Sequence, residues 1–261
     1  MSASSDPERN GVLVADSLRV RDGAARGLDL HRERFVSSAE RFLGREAAAR
    51  GWREALTQVP RTGDWFPRWE LRAADTEVRV LVRPTPPTSI EVVVATAPVD
   101  PRTAPLTKGP DLEALQGLRD AVAPLGAGEA IIVDARDTII EGAYSALLVI
   151  DPERAGATGA SLVVERVPSE VPRIPSVTER LVIAAIEAAG GTVVERARSA
   201  AELEGCELWV LSALHGVRLA TSWVTGTRGA APQLTHGPAA QARVHEVRAA
   251  LELAARPLPF T

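Results

Sequence analysis

Lysine occurs once in the 261 residues, at Lys108, against 29 arginines. At a surface ion pair either cation serves, but arginine cannot condense with a carbonyl and does not deprotonate near neutral pH. A lysine ammonium desolvated beside other cations loses its proton more readily and becomes a nucleophile or a base. One lysine that arginine has not replaced points to covalent chemistry, with a leftover surface lysine as the competing reading. Glu141 is the second candidate. It follows Ile139-Ile140 and precedes Gly142 and an apolar run from Ser145 to Ile150, which sets its carboxylate at a strand end beside a glycine that admits a close neighbour. A solvated turn glutamate is the alternative. Third, Ser176-Val177-Thr178-Glu179 fits a capping box, so a helix starts there and offers amides to an anion, unless it is plain helix initiation. A lysine for an aldehyde, a carboxylate for a ring nitrogen and amides for a phosphate are together what pyridoxal phosphate needs. His215, in a loop, and His236, in the Thr235-His236-Gly237-Pro238 turn, read as packed or turn imidazoles rather than acid-base groups. Neither has metal-ligand spacing to acidic or cysteine residues, so no metal is implied.

The elements that must position these groups follow from periodicity and turn signals. Gly11 to Val20 reads as a strand closed by a turn at Asp22-Gly23. A helix is expected from Asp29 as N-cap to Ala48, with Leu30, Phe35, Ala39, Phe42 and Leu43 at helical spacing. Strand-like runs at Trp65 to Arg72, Glu77 to Val82 and Ile90 to Ala95 close a small α/β unit. Pro98, Pro101 and Pro105 mark a stiff linker, because each fixes its own φ and removes a donor. The expected limits are 1–98 for a small N-terminal domain, 99–107 for the linker and 108–261 for a C-terminal domain. In the latter, helices are expected from Asp111 to Ala123, Val177 to Ala189 (stopped by Gly190-Gly191) and Ala239 to Ala254. Strands are expected at Ala130 to Val133, Thr138 to Ile140, Ser145 to Ile150, Ser161 to Glu165, Thr192 to Glu195, Leu208 to Leu211 and Val217 to Val224.

The order of these segments resembles the class IV pyridoxal-phosphate aminotransferases, a family that includes branched-chain and D-amino-acid transaminases and 4-amino-4-deoxychorismate lyase. The resemblance covers most of the chain. Leu18-Arg19-Val20-Arg21-Asp22-Gly23 and Leu28-Asp29-Leu30-His31-Arg32-Glu33-Arg34-Phe35 resemble the family's strand, turn and helix, in which the arginine three residues after a histidine binds the cofactor phosphate; that implies Arg34. Leu106-Thr107-Lys108 resembles the site of the Schiff-base lysine, and Thr138 to Ser145 the strand whose glutamate, here Glu141, meets the pyridine nitrogen. Ile174 to Thr178 resembles the phosphate-binding helix start, implying Val177 and Thr178, and Ser212 to Val217 a later loop whose Ser212 and Ala213 complete the phosphate site.

The resemblance implies an α/β (α+β mixed), two-domain fold of type IV: a small N-terminal α/β domain, a larger mixed β-barrel-like C-terminal domain and the cofactor in the cleft between them. It also implies a homodimer. The chain departs from the family in a shortened N-terminus, in Ala146 where an asparagine is usual, and in Glu179 where an arginine usually follows the threonine. Where transaminases place a tyrosine about five residues past the lysine, this chain has Glu113, as the lyase branch also lacks that tyrosine. The function implied is therefore loss of pyruvate from 4-amino-4-deoxychorismate to give 4-aminobenzoate. The alternatives are a transaminase acting on branched-chain or D-amino acids, and a non-catalytic member that has kept the fold. Arg19, Arg68 and Arg83 are candidate binders of a substrate carboxylate, because a planar guanidinium pairs with it through two hydrogen bonds; for Arg68, in the aromatic cluster Trp65 to Trp69, a solvated arginine on a packed strand is the competing reading.

A net charge of -4 and a pI near 5.7 give no basic surface for nucleic acid or an anionic membrane. The single cysteine, Cys206, allows no intrachain disulfide. The polar N-terminus and the lack of any run of ~20 apolar residues fit a soluble cytoplasmic protein; a small amino substrate is what the resemblance implies.

Overall fold

A computed structural model describes residues 11–75, 77–152, 162–225 and 231–259. The polar stretch 1–10 and the expected strand start at Ser161 lie outside them. In chain order the elements are β1 (Val12–Ser17), β2 (Val20–Arg21), β3 (Ala24–Ala25), α1 (Leu28–Leu43), α2 (Arg45–Leu56), β4 (Asp64–Trp65), β5 (Arg68–Arg72), β6 (Arg79–Leu81) and β7 (Glu91–Thr96). Then follow α3 (Leu112–Val122), β8 (Glu129–Val133), β9 (Ile139–Gly142), β10 (Ala146–Ile150), β11 (Val163–Arg166), α4 (Val177–Ala188), β12 (Thr192–Glu195), β13 (Glu207–Ser212), β14 (Gly216–Val224), α5 (Pro238–Leu253) and β15 (Arg256–Pro257).

The chain divides into two compact units. Met1–Pro87, Thr103–Leu112 and Ala254–Thr261 form the first, and Thr88–Arg102 with Glu113–Leu253 the second. These limits differ from the expected 1–98, 99–107 and 108–261. The strand expected at Ile90 to Ala95 is β7, which pairs with β14 and β8 in the second unit, while Lys108 belongs to the first. β propensity marked the strand but could not name its partners, of which β14 lies more than a hundred residues away.

In the first unit an antiparallel sheet runs β1-β5-β6, and short strands pair in the order β15-β3-β2-β4. The core forms where α1 and α2 meet this sheet: Trp52 stacks on Trp69 with ring centroids 4.3 Å apart, and Phe35 lies 5.4 Å from Trp52. Such pairs add about 1 kcal/mol each beyond area burial. The single helix expected from Asp29 to Ala48 is two helices. Gly27 at φ 62° caps α1, with Asp29 exposed in its first turn, and Gly44 at φ 77° and ψ 150° ends it before α2 begins. Apolar spacing continues across Gly44, so periodicity alone hid the break.

The segment carrying Lys108 is tied down at both ends. Asp111 accepts from Thr103 N–H (3.0 Å), Thr103 Oγ1 (2.7 Å) and Ala104 N–H (2.9 Å), which closes the loop. Ala15 N–H of β1 donates to the Lys108 carbonyl at 2.7 Å. A Cβ on Gly109, whose φ is 145°, would stand 2.8 Å from Val14 Cα and 2.9 Å from Ala15 N. Gly109→Ala is therefore expected to cost about 2 kcal/mol or more by pushing the loop off β1; a lower urea midpoint at unchanged m-value checks it.

In the second unit the described strands form one sheet in the order β12-β11-β10-β13-β14-β7-β8-β9. Pairing is parallel for β11/β12, β14/β7 and β7/β8 and antiparallel elsewhere. The two edges approach each other: Ile139 N–H of β9 donates to Arg198 O, just past β12, at 2.8 Å, and Thr138 bridges Ser199. The sheet is thus curled, in keeping with the barrel-like form expected. Both faces are covered, so β13 is apolar from Leu208 to Leu211: Leu208 and Val210 join one core with Val94 and Ile131, while Trp209 and Leu211 pack under Val182 and Ile186 of α4 and Val244 of α5.

Candidate active site

In the first unit, β1 and α1 build a buried polar cluster. Asp16, fully buried on β1, accepts from His31 Nδ1–H at 2.7 Å and from Arg34 Nε and Nη2 at 2.8 and 2.7 Å. His31 and Arg34 lie one turn apart on α1, so both reach the same carboxylate. Burial pushes the Asp16 carboxyl up, but Arg34 and His31 outweigh it and hold it well below the usual carboxylate range. Burial lowers His31 below an ordinary imidazole against the pull of Asp16, with Arg34 and Lys108 adding to the lowering, so the ring is neutral at pH 7. The structure thus brings Arg34 and Lys108, two of the expected residues, into one unit around β1. Asp16 and His31 complete the cluster. The sequence named His31 only as part of a motif, and no signal short of the β1–α1 packing marks Asp16.

The three expected carboxylate binders divide. Arg19 pairs side-on with Asp64 through Nε (2.8 Å) and Nη2, and this pairing takes the Asp64 carboxyl down to about 2. Arg68 pairs with Glu70, which also accepts from Arg72 Nε at 3.0 Å. Arg83 donates to Phe66 O at 3.2 Å, and its guanidinium lies 5.4 Å from the Phe66 ring centroid. Burial, and then its neighbour Arg68, pull Arg83 below the usual guanidinium range. Arg68 and Arg83 therefore share one patch, and Arg19 is committed to Asp64.

In the second unit, Glu141 is buried inside β9 rather than solvated at a turn. Arg102 Nη1 donates to Oε1 at 2.7 Å and Ile174 N–H to Oε2 at 3.3 Å; Arg102 is itself held by Asp100 at 2.8 Å and by Pro172 O at 3.1 Å. Burial raises the Glu141 carboxyl to about 7, with Arg102 pulling against it. The close neighbour expected beside Gly142 is the hydroxyl of Ser145. A Cβ at Gly142 would stand 2.1 Å from Ser145 Oγ, which donates to the buried Glu129 at 3.0 Å. Ala146, where the family usually has asparagine, is buried in the apolar core under α4.

α4 begins where expected, with Ser176 accepting from Glu179 N–H at 3.2 Å and with Val177 and Thr178 buried in its first turn. Only half of the expected capping box forms. The Glu179 carboxylate turns instead to Arg173, whose Nη1 and Nη2 donate at 2.6 and 2.8 Å, with Arg166 at 3.3 Å. Arg173→Met should strand the buried Glu179 charge at a cost on the order of 3 kcal/mol, and Glu179→Gln in the same chain should recover most of it; urea titrations of the two variants test this. At the end of β13, Ser212 Oγ accepts from His215 N–H at 3.2 Å, and Ala213 follows in the turn. His215 Nδ1 accepts from Ser89 N–H at 3.2 Å, and His236 Nδ1 lies 3.1 Å from Leu234 O.

The sequence model of the amino-transferase class IV family matches residues 13–223. No curated protein matches the sequence significantly. Among solved structures, the chain is similar to a hypothetical aminotransferase from Mycobacterium tuberculosis in its PLP-bound form, with TM-score 0.67 and 19% identity over 96% of this chain and 95% of that one. It is also similar to a fold IV transaminase from Curtobacterium pusillum, with TM-score 0.67 and 21% identity over 97% and 91%. A branched-chain aminotransferase from Thermoproteus uzoniensis crystallised with norvaline gives TM-score 0.74 and 17% identity over 94% and 87%. At these identities the likenesses establish the fold.

Proposed function

Because the chain belongs to the class IV aminotransferases, enzymes that use pyridoxal 5'-phosphate, we propose that it carries out such chemistry on a small amino substrate with Lys108 as its reacting amine. The observation that carries the proposal is the docking of the sole lysine's backbone onto β1, the strand whose Asp16 holds Arg34. Each unit carries donors that suit the cofactor: in the first, a lysine for its aldehyde and an arginine for its phosphate; in the second, a buried carboxylate for its ring nitrogen and a capped helix start for its phosphate. Bound, the cofactor supplies an aldehyde that takes up primary amines and a protonated ring that accepts electron density from the substrate's Cα.

Within the first unit Arg34 would meet the phosphate, and within the second the first-turn amides of α4 at Val177 and Thr178 and the Ser212–Ala213 turn are the groups suited to it. Glu141, ionised, would hold a proton on the cofactor's ring nitrogen, with Arg102 favouring the carboxylate's charged form. Lys108, once its amine is free, takes the Cα proton as general base and returns it as general acid. The patch of Arg68 and Arg83 receives a substrate carboxylate.

The reaction proposed is cleavage of 4-amino-4-deoxychorismate to 4-aminobenzoate and pyruvate, with aromatisation driving it. What favours it is Glu113, exposed in the first turn of α3, where transaminases carry a tyrosine; the one tyrosine of the chain, Tyr144, donates its hydroxyl to Gln116 at 3.1 Å. Amino transfer to a keto acid is the second reading, favoured by structural neighbours that are named as aminotransferases. Release of 4-aminobenzoate from 4-amino-4-deoxychorismate, scored beside amino transfer to a panel of keto acids, separates them. Turnover only in the second assay would overturn the lyase. Family membership also supports a homodimer and a cytoplasmic location; among the described residues no helix is long and apolar enough to cross a membrane.

A further inference from the structure

We propose that Asp16 is the positioning residue of the cofactor's phosphate site, fixing Arg34 through a carboxylate that it shares with His31; this rests on the cofactor reading above. Asp16 is wholly buried, and a buried carboxylate persists only where charged or hydrogen-bonding partners satisfy it. Its partners are Arg34 Nε and Nη2, at 2.8 and 2.7 Å, and His31 Nδ1 at 2.7 Å. The side-on grip through two nitrogens fixes the plane of the guanidinium as well as its place. His31 braces the second side of the arrangement, since its Nδ1–H is spent on the same oxygen that receives Arg34 Nη2.

Charge alone does not account for this design. A negative group next to an arginine that meets a phosphate repels that phosphate and cancels the arginine's charge, and the buried imidazole beside it adds no compensating cation. A site built for attraction would place a neutral residue at position 16. What the carboxylate supplies is orientation: an arginine side chain held in one rotamer before the ligand arrives loses less freedom on binding it. The two accounts predict opposite signs for removal of the charge. If Asp16 orients, Asp16→Asn weakens phosphate binding; if its charge merely opposes the ligand, the same change strengthens it.

The test compares pyridoxal phosphate with pyridoxal, which differ only in the phosphate, by equilibrium dialysis on the wild-type protein, Asp16→Asn and His31→Gln, with thermal melts confirming the fold. Asp16→Asn is expected to weaken pyridoxal phosphate on the order of tenfold or more and to leave pyridoxal unchanged, with His31→Gln shifting the same ratio less. Should Asp16→Asn fail to fold, the ratio for His31→Gln decides. An unchanged or greater preference for pyridoxal phosphate in the variants overturns the proposal, and so does an equal loss for both ligands, which is what a purely structural role produces. Wild-type protein that binds neither ligand overturns the cofactor reading and this proposal with it.

Discussion

Lys108→Arg is expected to lower kcat on the order of a thousandfold or more while leaving the protein folded. Arginine preserves the charge, and it is the cation used everywhere else in this chain, so a lysine serving only as a positive group would tolerate the change. It cannot react with an aldehyde or give up a proton near pH 7, and loss of a positioned general base alone costs about 100- to 10,000-fold. The fold should survive because Lys108 contributes to it through its backbone carbonyl, on which Ala15 N–H closes at 2.7 Å. Steady-state kinetics at saturating cofactor, with melting curves alongside, measure both halves. A variant that keeps a tenth of wild-type turnover would remove Lys108 from the chemistry.

Glu141→Gln should act on both catalysis and stability, and the two are separable by pH. An unfolded glutamate titrates near 4.5, whereas burial raises the folded Glu141 carboxyl to about 7 despite Arg102. Between those values the native state holds a proton that the unfolded chain has lost. Stability contributed by this group is therefore complete below about pH 4.5, falls as pH rises towards 7 and then levels, for a total on the order of 3 kcal/mol. Glutamine cannot titrate, so urea unfolding of wild type and variant at pH 5 and pH 8 should show the wild type losing about that much relative to the variant. In turnover the order reverses. If, as proposed, the ionised carboxylate is the active form, wild-type kcat should rise through about pH 7, and Glu141→Gln should lose that limb and about a hundredfold in rate. A variant whose pH–rate profile matches the wild type would show that Glu141 does not govern the ring nitrogen.

Groups identified by residue type were easier to read from the sequence than groups identified by partner. Lys108 stood out by its rarity, and the limits of α4 by Ser176 and Gly190, whose chemistry is local. Asp16 was invisible because its meaning lies in α1, fifteen residues away, and Arg102 because its partner Glu141 lies 39 residues on. Glu179 illustrates the limit from the other side. Its spacing from Ser176 is that of a capping box, yet Arg173 offers two charged hydrogen bonds in a buried setting and outcompetes the single amide behind it. β7 was legible as a strand, but its parallel pairing with β14 was not. Gly44 splits one expected helix into two because its backbone takes a conformation that apolar spacing does not report.

Covalent attachment of the cofactor to Lys108 is tested by the visible spectrum of the purified protein with pyridoxal phosphate before and after borohydride, followed by peptide mass mapping. The expected result is an absorption band that reduction abolishes, with the added mass on the peptide containing Lys108. No band, or a label confined to the terminal amine, would contradict it and mean that the fold has been kept without the chemistry.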